Sequence, residues 1–223
     1  VALPSLTVEN YVKAVYQICS AQAGAPAATG QLAAALGVSP STVTSMVKTL
    51  SESGLLTYTP YEGVQLTPAG RTLALRVLRR HRLIELFLAR TLGLSWDEVH
   101  DEAENMEHAV SDWLVDRIDE FLGFPQHDPH GDPIPRSDGS LTSVDTKTLG
   151  QCASGESFRV VRVLDQSPEF LRYLGEAGLT PEARGRVTIS QPEAGTLTVA
   201  MGDRDTTLAL EAAAKILVAR GGS

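Results

Sequence analysis

Between residues 28 and 68 the chain is punctuated so tightly that few folds can accommodate it. Thr29-Gly30 opens a short helix, Gln31 to Leu36, which Gly37 stops. Ser39-Pro40 starts the next one almost at once. Ser39 is placed to cap it, and Pro40 takes the first helical position, where a missing N–H costs nothing. That helix runs from Ser41 to Ser53 and ends at Gly54. Two short helices joined by a glycine turn fit a helix-turn-helix. Leu55–Tyr58 and Val64–Leu66 then read as strands about a Pro60-Tyr61-Glu62-Gly63 turn, a hairpin that serves as a wing. Upstream, Thr7 is the expected N-cap of a helix over 7–23. Its apolar stripe is Val8, Tyr11, Val12, Val15 and Ile18, and Gly24 and Pro26 end it.

A helix-turn-helix places the start of its second helix against base edges and phosphates in a major groove. Here that start offers Ser39, Pro40, Ser41, Thr42, Thr44, Ser45 and Lys48 as DNA-contacting residues. The net charge of −8 argues against a nucleic-acid binder until it is divided along the chain. Residues 1–80 carry six basic and three acidic side chains, whereas residues 81–135 carry three and thirteen. A mildly basic unit able to approach phosphate is therefore fused to an acidic one able to collect cations.

The acidic part has its own pattern. A long helix is expected from Ala69 to about Leu92, with Arg71, Arg76, Arg79, Arg80 and Arg82, and with His81 and Glu85 one turn apart. Gly93 breaks it, and Ser95-Trp96-Asp97-Glu98 reads as a capping box. The helix that follows is expected to continue through His108. It would place His100, Glu104, Glu107 and His108 on one face. Six nitrogen and oxygen ligands within 28 residues suit Mn(II), Fe(II), Co(II) or Zn(II). A solvated charged face is the plainer account of any one pair, but not of all six together.

A further helix is expected from Asp112 to Leu122. Residues 123–150 are rich in Pro, Gly and polar side chains and read as a loop passing into a linker; His127 and His130 are expected to be surface histidines there. Beyond Ser157, segments 158–164, 185–189 and 195–199 have β-type composition, with a short helix from Pro168 to Ala177. A small β-barrel is expected. No run of about 18 apolar residues and no secretory leader pattern is visible, and Cys19 and Cys152 form no disulfide framework. A reducing, cytoplasmic location is the expectation.

Taken in order, the helix-turn-helix, wing, Arg-rich helix, His81-Arg82-Leu83-Ile84-Glu85 and the run His100-Asp101-Glu102-Ala103-Glu104-Asn105-Met106-Glu107-His108 resemble the DtxR/MntR family of metal-dependent transcriptional repressors. Gly131-Asp132-Pro133-Ile134-Pro135 is similar to that family's Gly-Asn-Pro-Ile-Pro segment, with Asp in place of Asn. The resemblance covers the whole chain and is strongest over 5–135. It implies one metal site of Asn10, Glu104, Glu107 and His108, and another of His81, Glu85 and His100 with Gln166 and Glu169. Glu104 stands where iron-responsive members have cysteine, a hard carboxylate for a hard cation. Lys13 stands where short manganese-responsive members have a ligating glutamate, and a protonated lysine cannot ligate. Glu9 lies ~100° round the helix from Asn10 and is expected to point elsewhere.

The fold expected is mainly α with small β. It comprises a winged helix-turn-helix DNA-binding domain (1–75), a helical dimerisation and metal-binding domain (76–140), a linker (141–155) and a C-terminal SH3-like, FeoA-like β-barrel (156–223). The function expected is a Mn(II)-dependent homodimeric repressor, not an enzyme, that binds a palindromic double-stranded operator and controls metal-homeostasis genes. Its dimer seam would use Val110, Trp113, Leu114 and Ile118. Fe(II) or Co(II) are the alternative ions, and no membrane or small-molecule substrate is expected. An Fe(II)-responsive repressor is the nearest rival. A metallohydrolase is the other, for which no nucleophile and general-base pair stands out.

Overall fold

The computed structural model describes residues 5–142 and 144–221. The chain divides into two compact units. One comprises the stretch up to His81 with Asn105–Asp112 and Pro135–Ser140. The other comprises Arg82–Glu104, Trp113–Ile134 and everything from Leu141 onward.

The first unit contains α1 (Leu6–Ala21), α2 (Thr29–Leu36), α3 (Pro40–Glu52), β1 (Leu56–Thr59), β2 (Gly63–Leu66) and most of α4 (Pro68–Phe87). Ser5, rather than Thr7, caps α1, its Oγ accepting from Val8 N at 3.4 Å. Gly37 ends α2 in the left-handed region at φ 63°, and Ser39 Oγ accepts from Thr42 N at 3.2 Å to start α3. The hairpin pairs antiparallel from Leu56 opposite Leu66 to Thr59 opposite Gly63. Tyr11, Val12, Val15, Leu32, Val43, Val47, Leu50, Leu56 and Val64 form its buried interior, the inward positions of each element.

In the second unit, α4 runs into one π-helical turn, Leu88–Leu92, closed by Gly93 at φ 75°. Then come α5 (Val99–Met106), whose last residues belong to the first unit, and α6 (Asp112–Phe121). Beyond the loop lie β3 (Lys147–Thr148), β4 (Ser157–Val163), α7 (Pro168–Glu176), β5 (Arg184–Gln191), β6 (Thr196–Met201), β7 (Arg204–Ala209), α8 (Leu210–Ala213) and β8 (Ile216–Arg220). The strands form one antiparallel sheet in the order β3-β8-β4-β5-β6-β7. The expected barrel is corrected here: β3 has two residues, β7 pairs among the described residues only with β6, and the sheet stays open. Its core is Phe158, Val160, Val163, Leu171, Leu174, Val187, Leu197, Val199, Ile216 and Val218, with α7 supplying Leu171 and Leu174. Among the described residues, no helix is long and apolar enough to cross a membrane.

Candidate metal centres and DNA interface

The N-terminal end of α3 presents short hydroxyls. Ser39, Pro40, Ser41, Thr42, Ser45 and Lys48 are exposed, and Thr44 is half-buried. Val43, Val47 and Leu50 turn the opposite face into the core. Ser39 Oγ lies 2.8 Å from both Ser41 Oγ and Thr42 Oγ1, so the hydroxyls are held as a set. Thr44 Oγ1 donates to Pro40 O at 2.9 Å, which leaves its methyl turned outward from that bond. This is a surface suited to phosphate and base-edge contact. At the wing tip, Tyr61 is fully exposed and adopts a left-handed φ of 69°.

The first unit also gathers a buried charged cluster. Half of the capping box expected at Ser95 is present: Ser95 N donates to Glu98 Oε2 at 2.9 Å, but the Ser95 hydroxyl also donates to Glu98 Oε2, at 2.6 Å, instead of accepting from Glu98 N, and α5 begins only at Val99. The helix it announces stops at Met106, however, so Glu107 and His108 lie on a turn. Glu107 is 1 % exposed. Lys13 Nζ donates to both of its oxygens at 2.9 Å, and His81 Nδ1 lies 2.6 Å from Oε2. Burial alone would push the Glu107 carboxyl up. The His81 hydrogen bond and the Lys13 charge outweigh it and hold Glu107 below the usual carboxylate range. His108 Nδ1 lies 2.7 Å from Glu9 Oε2, and its Nε2 lies 3.2 Å from Glu107 Oε1. Glu9, expected to point away, is 3 % exposed and receives Arg80 at 3.1 Å. Arg80 also donates to Asp112 at 2.8 Å. A cavity of about 460 Å³ opens beside this cluster, lined by Leu6, Glu9, Arg80, Asn105, His108, Ala109, Val110 and Ser111. Asn10 is half-buried on α1. Glu104 is exposed on α5 and lies 3.7 Å from His100 Nε2, one turn away.

The second unit builds its cluster around Glu85, which is 1 % exposed. His100 Nδ1 lies 3.2 Å from Glu85 Oε1. Glu85, Asp128 and His130 each bring a ligand atom within 4.8 Å of the others, and all three are buried. His130 was expected at the surface and is instead fully enclosed. Its Nε2 lies 2.6 Å from the Trp96 carbonyl. A carbonyl only accepts, so the proton sits on Nε2 and the lone pair on Nδ1. That nitrogen has no hydrogen-bond partner and lies 3.8 Å from Glu85 Oε2. Asp128 Oδ1 accepts from His130 N and Asp132 N at 2.8 and 2.9 Å, while Oδ2 makes no hydrogen bond. Burial, then the neighbouring Asp132 and Glu85 carboxylates, push Asp128 well above its ordinary range.

Three acceptors converging in a dry site are costly unless a proton or cation lies between them. Hard oxygens with imidazole nitrogen fit a divalent first-row ion, and the His130 Nδ1 without a hydrogen bond fits it in particular, while Asp128 Oδ2 has the Arg82 guanidinium near it, at 3.7 Å. Gly131 makes this loop possible. At φ 86° it is left-handed, and a Cβ there would meet Val161 O at 1.9 Å.

Two residues expected as ligands have protein partners instead. Gln166 Nε2 donates to Asp132 Oδ2 at 2.7 Å, beside a salt bridge from Arg162 to the same carboxylate. Glu169 is exposed on the first turn of α7 and pairs with Arg172 at 3.4 Å. Asp128 and His130 lie in a loop, where no periodicity marks an inward face. The signal available was the density of His and Asp around Gly131.

Comparison with known proteins agrees with this architecture. Residues 5–64 match the iron dependent repressor N-terminal DNA binding domain, 67–136 the iron dependent repressor metal binding and dimerisation domain, and 147–220 the FeoA domain. The iron-dependent repressor IdeR of Mycobacterium leprae is 30% identical over 225 residues, covering 95% of this chain and 96% of that protein. The transcriptional regulator MntR of Geobacillus kaustophilus is 35% identical over 126 residues, 56% of this chain and 87% of that one. A manganese-dependent transcriptional repressor solved with manganese is 41% identical and superposes with a TM-score of 0.86, over 96% of this chain and 99% of that chain. With the hydroxyl-lined helix, the buried acceptor clusters and these matches spanning both units, the chain belongs to the DtxR/MntR family of metal-dependent transcriptional repressors.

Proposed function

We propose that this repressor responds to Mn(II), acts as a homodimer in the cytoplasm and binds a palindromic operator when metallated. The observation that carries the choice of ion is the donor set. Glu85, Asp128 and His130 are brought together, and Glu104, Glu107 and His108 occupy one helix end and turn. All are carboxylates or imidazoles, and no thiolate or thioether stands among them, which favours a hard ion. One metal is assigned to Asn10, Glu104, Glu107 and His108. Glu85 anchors a second, with His81 one turn earlier on α4, His100, and the loop pair Asp128 and His130. Gln166 and Glu169 are not carried into that site, because their partners are Asp132 and Arg172.

A bound ion would supply positive charge between the converging carboxylate and imidazole acceptors. Glu107 and His108 hold it close to α1, and Trp96 fixes the His130 tautomer that offers Nδ1. Because metal and operator favour the same arrangement, each must tighten the other by the same factor. The dimer is assigned to α6, where Trp113 is 73% exposed and Phe121 68%, with Leu114 on the same helix. Ile118, expected in that seam, is buried within its own chain, and Phe121 takes its place in the assignment. A two-fold dimer implies half-sites about one helical turn apart, ~34–36 Å.

The test is selection of duplexes from a random library with and without Mn(II), followed by fluorescence anisotropy on the winners. Palindromic winners that bind only with Mn(II), at protein concentrations where sedimentation shows a dimer, are expected. Binding indifferent to Mn(II) but sharpened by Fe(II) overturns the choice of ion, and binding indifferent to both overturns metal control.

A further inference from the structure

Glu9 and Lys13 stand one helical turn apart on α1, and both are buried, at 3% and 5% exposure. They are not among the ligands assigned above. Each meets one member of the Glu107–His108 pair: Glu9 Oε2 lies 2.7 Å from His108 Nδ1, and Lys13 Nζ donates to both Glu107 oxygens. An (i, i+4) Glu–Lys pair usually faces solvent. Here it is turned inward, towards two residues of metal-ligand type.

We propose that this face of α1 controls the metal with two opposite signs: Glu9 positions His108 for the cation, and Lys13 competes with the cation for Glu107. The inference deepens the metal-responsive reading and rests on it for the assignment of Glu107 and His108 as ligands.

The Glu9 half follows from hydrogen-bond chemistry. A carboxylate bonded to Arg80 is an acceptor, so the His108 proton lies on Nδ1 and the lone pair on Nε2. That nitrogen lies 3.2 Å from Glu107 Oε1, another acceptor. Two acceptors facing across such a gap require a cation or a proton between them. A carboxylate behind a ligating imidazole is the common means of fixing its tautomer and raising its basicity. Arg80, itself held by Asp112, keeps the Glu9 carboxylate from swinging away.

The Lys13 half follows from charge. Its ammonium sits on both Glu107 oxygens, and a divalent ion taken up by Glu107 arrives within a few ångströms of it. Like charges that close in a buried site oppose each other strongly. Since Lys13 belongs to α1, relief comes by moving the side chain or the helix. Metal arrival therefore acts on a residue that the first helix of the DNA-reading unit carries.

If the two residues merely hold α1 in place, substituting either one weakens Mn(II) binding. The proposal requires opposite signs. Calorimetric Mn(II) titration of the full chain is expected to show Glu9→Gln weaker by about 10–100-fold and Lys13→Gln tighter by on the order of tenfold. Should Glu9→Gln fail to fold, Glu9→Asp keeps the charge for Arg80 but withdraws it from His108, and must also weaken. Should Lys13→Gln fail to fold, Lys13→Met must also tighten. Ring ¹⁵N shifts of His108, recorded without added metal, should show protonation at Nδ1 in the parent and loss of that preference in Glu9→Gln. Shifts of one sign in both variants, no shift in either, or a parent ring with no proton on Nδ1 overturns the proposal. A parent that binds no Mn(II) overturns the underlying metal reading instead.

Discussion

Trp96 and His130 are joined twice: their rings stack with centroids 6.1 Å apart, and His130 Nε2 lies 2.6 Å from the Trp96 carbonyl. The indole is therefore a reporter for the Glu85–Asp128–His130 cluster. In a Trp113→Phe background, which leaves Trp96 as the sole tryptophan of the chain, Mn(II) should quench the fluorescence as that cluster fills. His130→Ala should abolish this quenching phase and remove one equivalent of bound Mn(II). Quenching that persists unchanged in His130→Ala would place the second ion elsewhere.

Asp128→Asn separates stability from metal binding. The variant keeps Oδ1 as acceptor for His130 N and Asp132 N, and replaces Oδ2, which makes no hydrogen bond and lies 3.7 Å from Arg82 Nε, with an uncharged amide nitrogen. The folded Asp128 carboxyl titrates above its ordinary value, so the folded chain retains a proton that the unfolded chain has released. Stability must therefore fall as pH rises from the ordinary carboxylate range through the folded value. In EDTA at pH 8, Asp128→Asn should melt about 2–4 °C higher than the parent, which corresponds to ~1 kcal/mol in a chain of this size. It should also lose most of the Tm gain that Mn(II) gives the parent. A variant melting lower in EDTA would mean that the parent carboxylate is compensated after all.

The comparison of sequence with structure is instructive at particular residues. Gly37, Ser39 and Pro40 act locally, through φ, capping and a missing N–H, and the helices they bound are where local chemistry puts them. Glu107 and His108 are different. The stripe from His100 presumed an unbroken helix, but α5 ends at Met106, and the turn carries both side chains towards Glu9 and Lys13. That outcome depends on α1, about a hundred positions earlier, and no helical period encodes it. Glu9 was set aside on the angle between neighbours, yet it is Glu9 that is buried. The period tells which residues share a face, not which face is inward. His130 lay in a loop, where no period exists. Its burial follows from Gly131 letting the chain pass against the Val161 carbonyl, a tertiary contact. The barrel failed for a related reason: strand composition marks strands, but closure depends on edge pairing between β3 and β7, which composition does not specify.

On the DNA side, Lys48 is the one basic residue of α3. A lysine set against phosphate adds affinity without sequence preference. Lys48→Ala should weaken binding to all selected duplexes alike and reduce the salt slope by about one. Ser39→Ala should instead cost about 1 kcal/mol of stability, because it removes the cap on Thr42 N and frees the Ser41 and Thr42 hydroxyls from their shared partner. Anisotropy across a salt series, alongside thermal melts, tells the two apart. If Lys48→Ala left the salt slope untouched, the phosphate contact would have to be sought elsewhere on the unit.

Glu104 is exposed and pairs with His100 over one helical turn, so its exchange costs the fold little. It is therefore the position at which ion preference can be altered with least structural penalty. A thiolate there presents a softer donor to the ion shared with Glu107 and His108. Glu104→Cys should lose Mn(II)-driven operator binding by at least an order of magnitude while gaining response to Fe(II) or Co(II), at an unchanged Tm in EDTA. Glu104→Ala should lose response to every ion without that gain. Anaerobic anisotropy titrations with the three ions decide it. A Glu104→Cys protein that keeps the parent's order of ions would show that selectivity is set by Glu107 and His108, and not by the one residue of the set that is fully open to solvent.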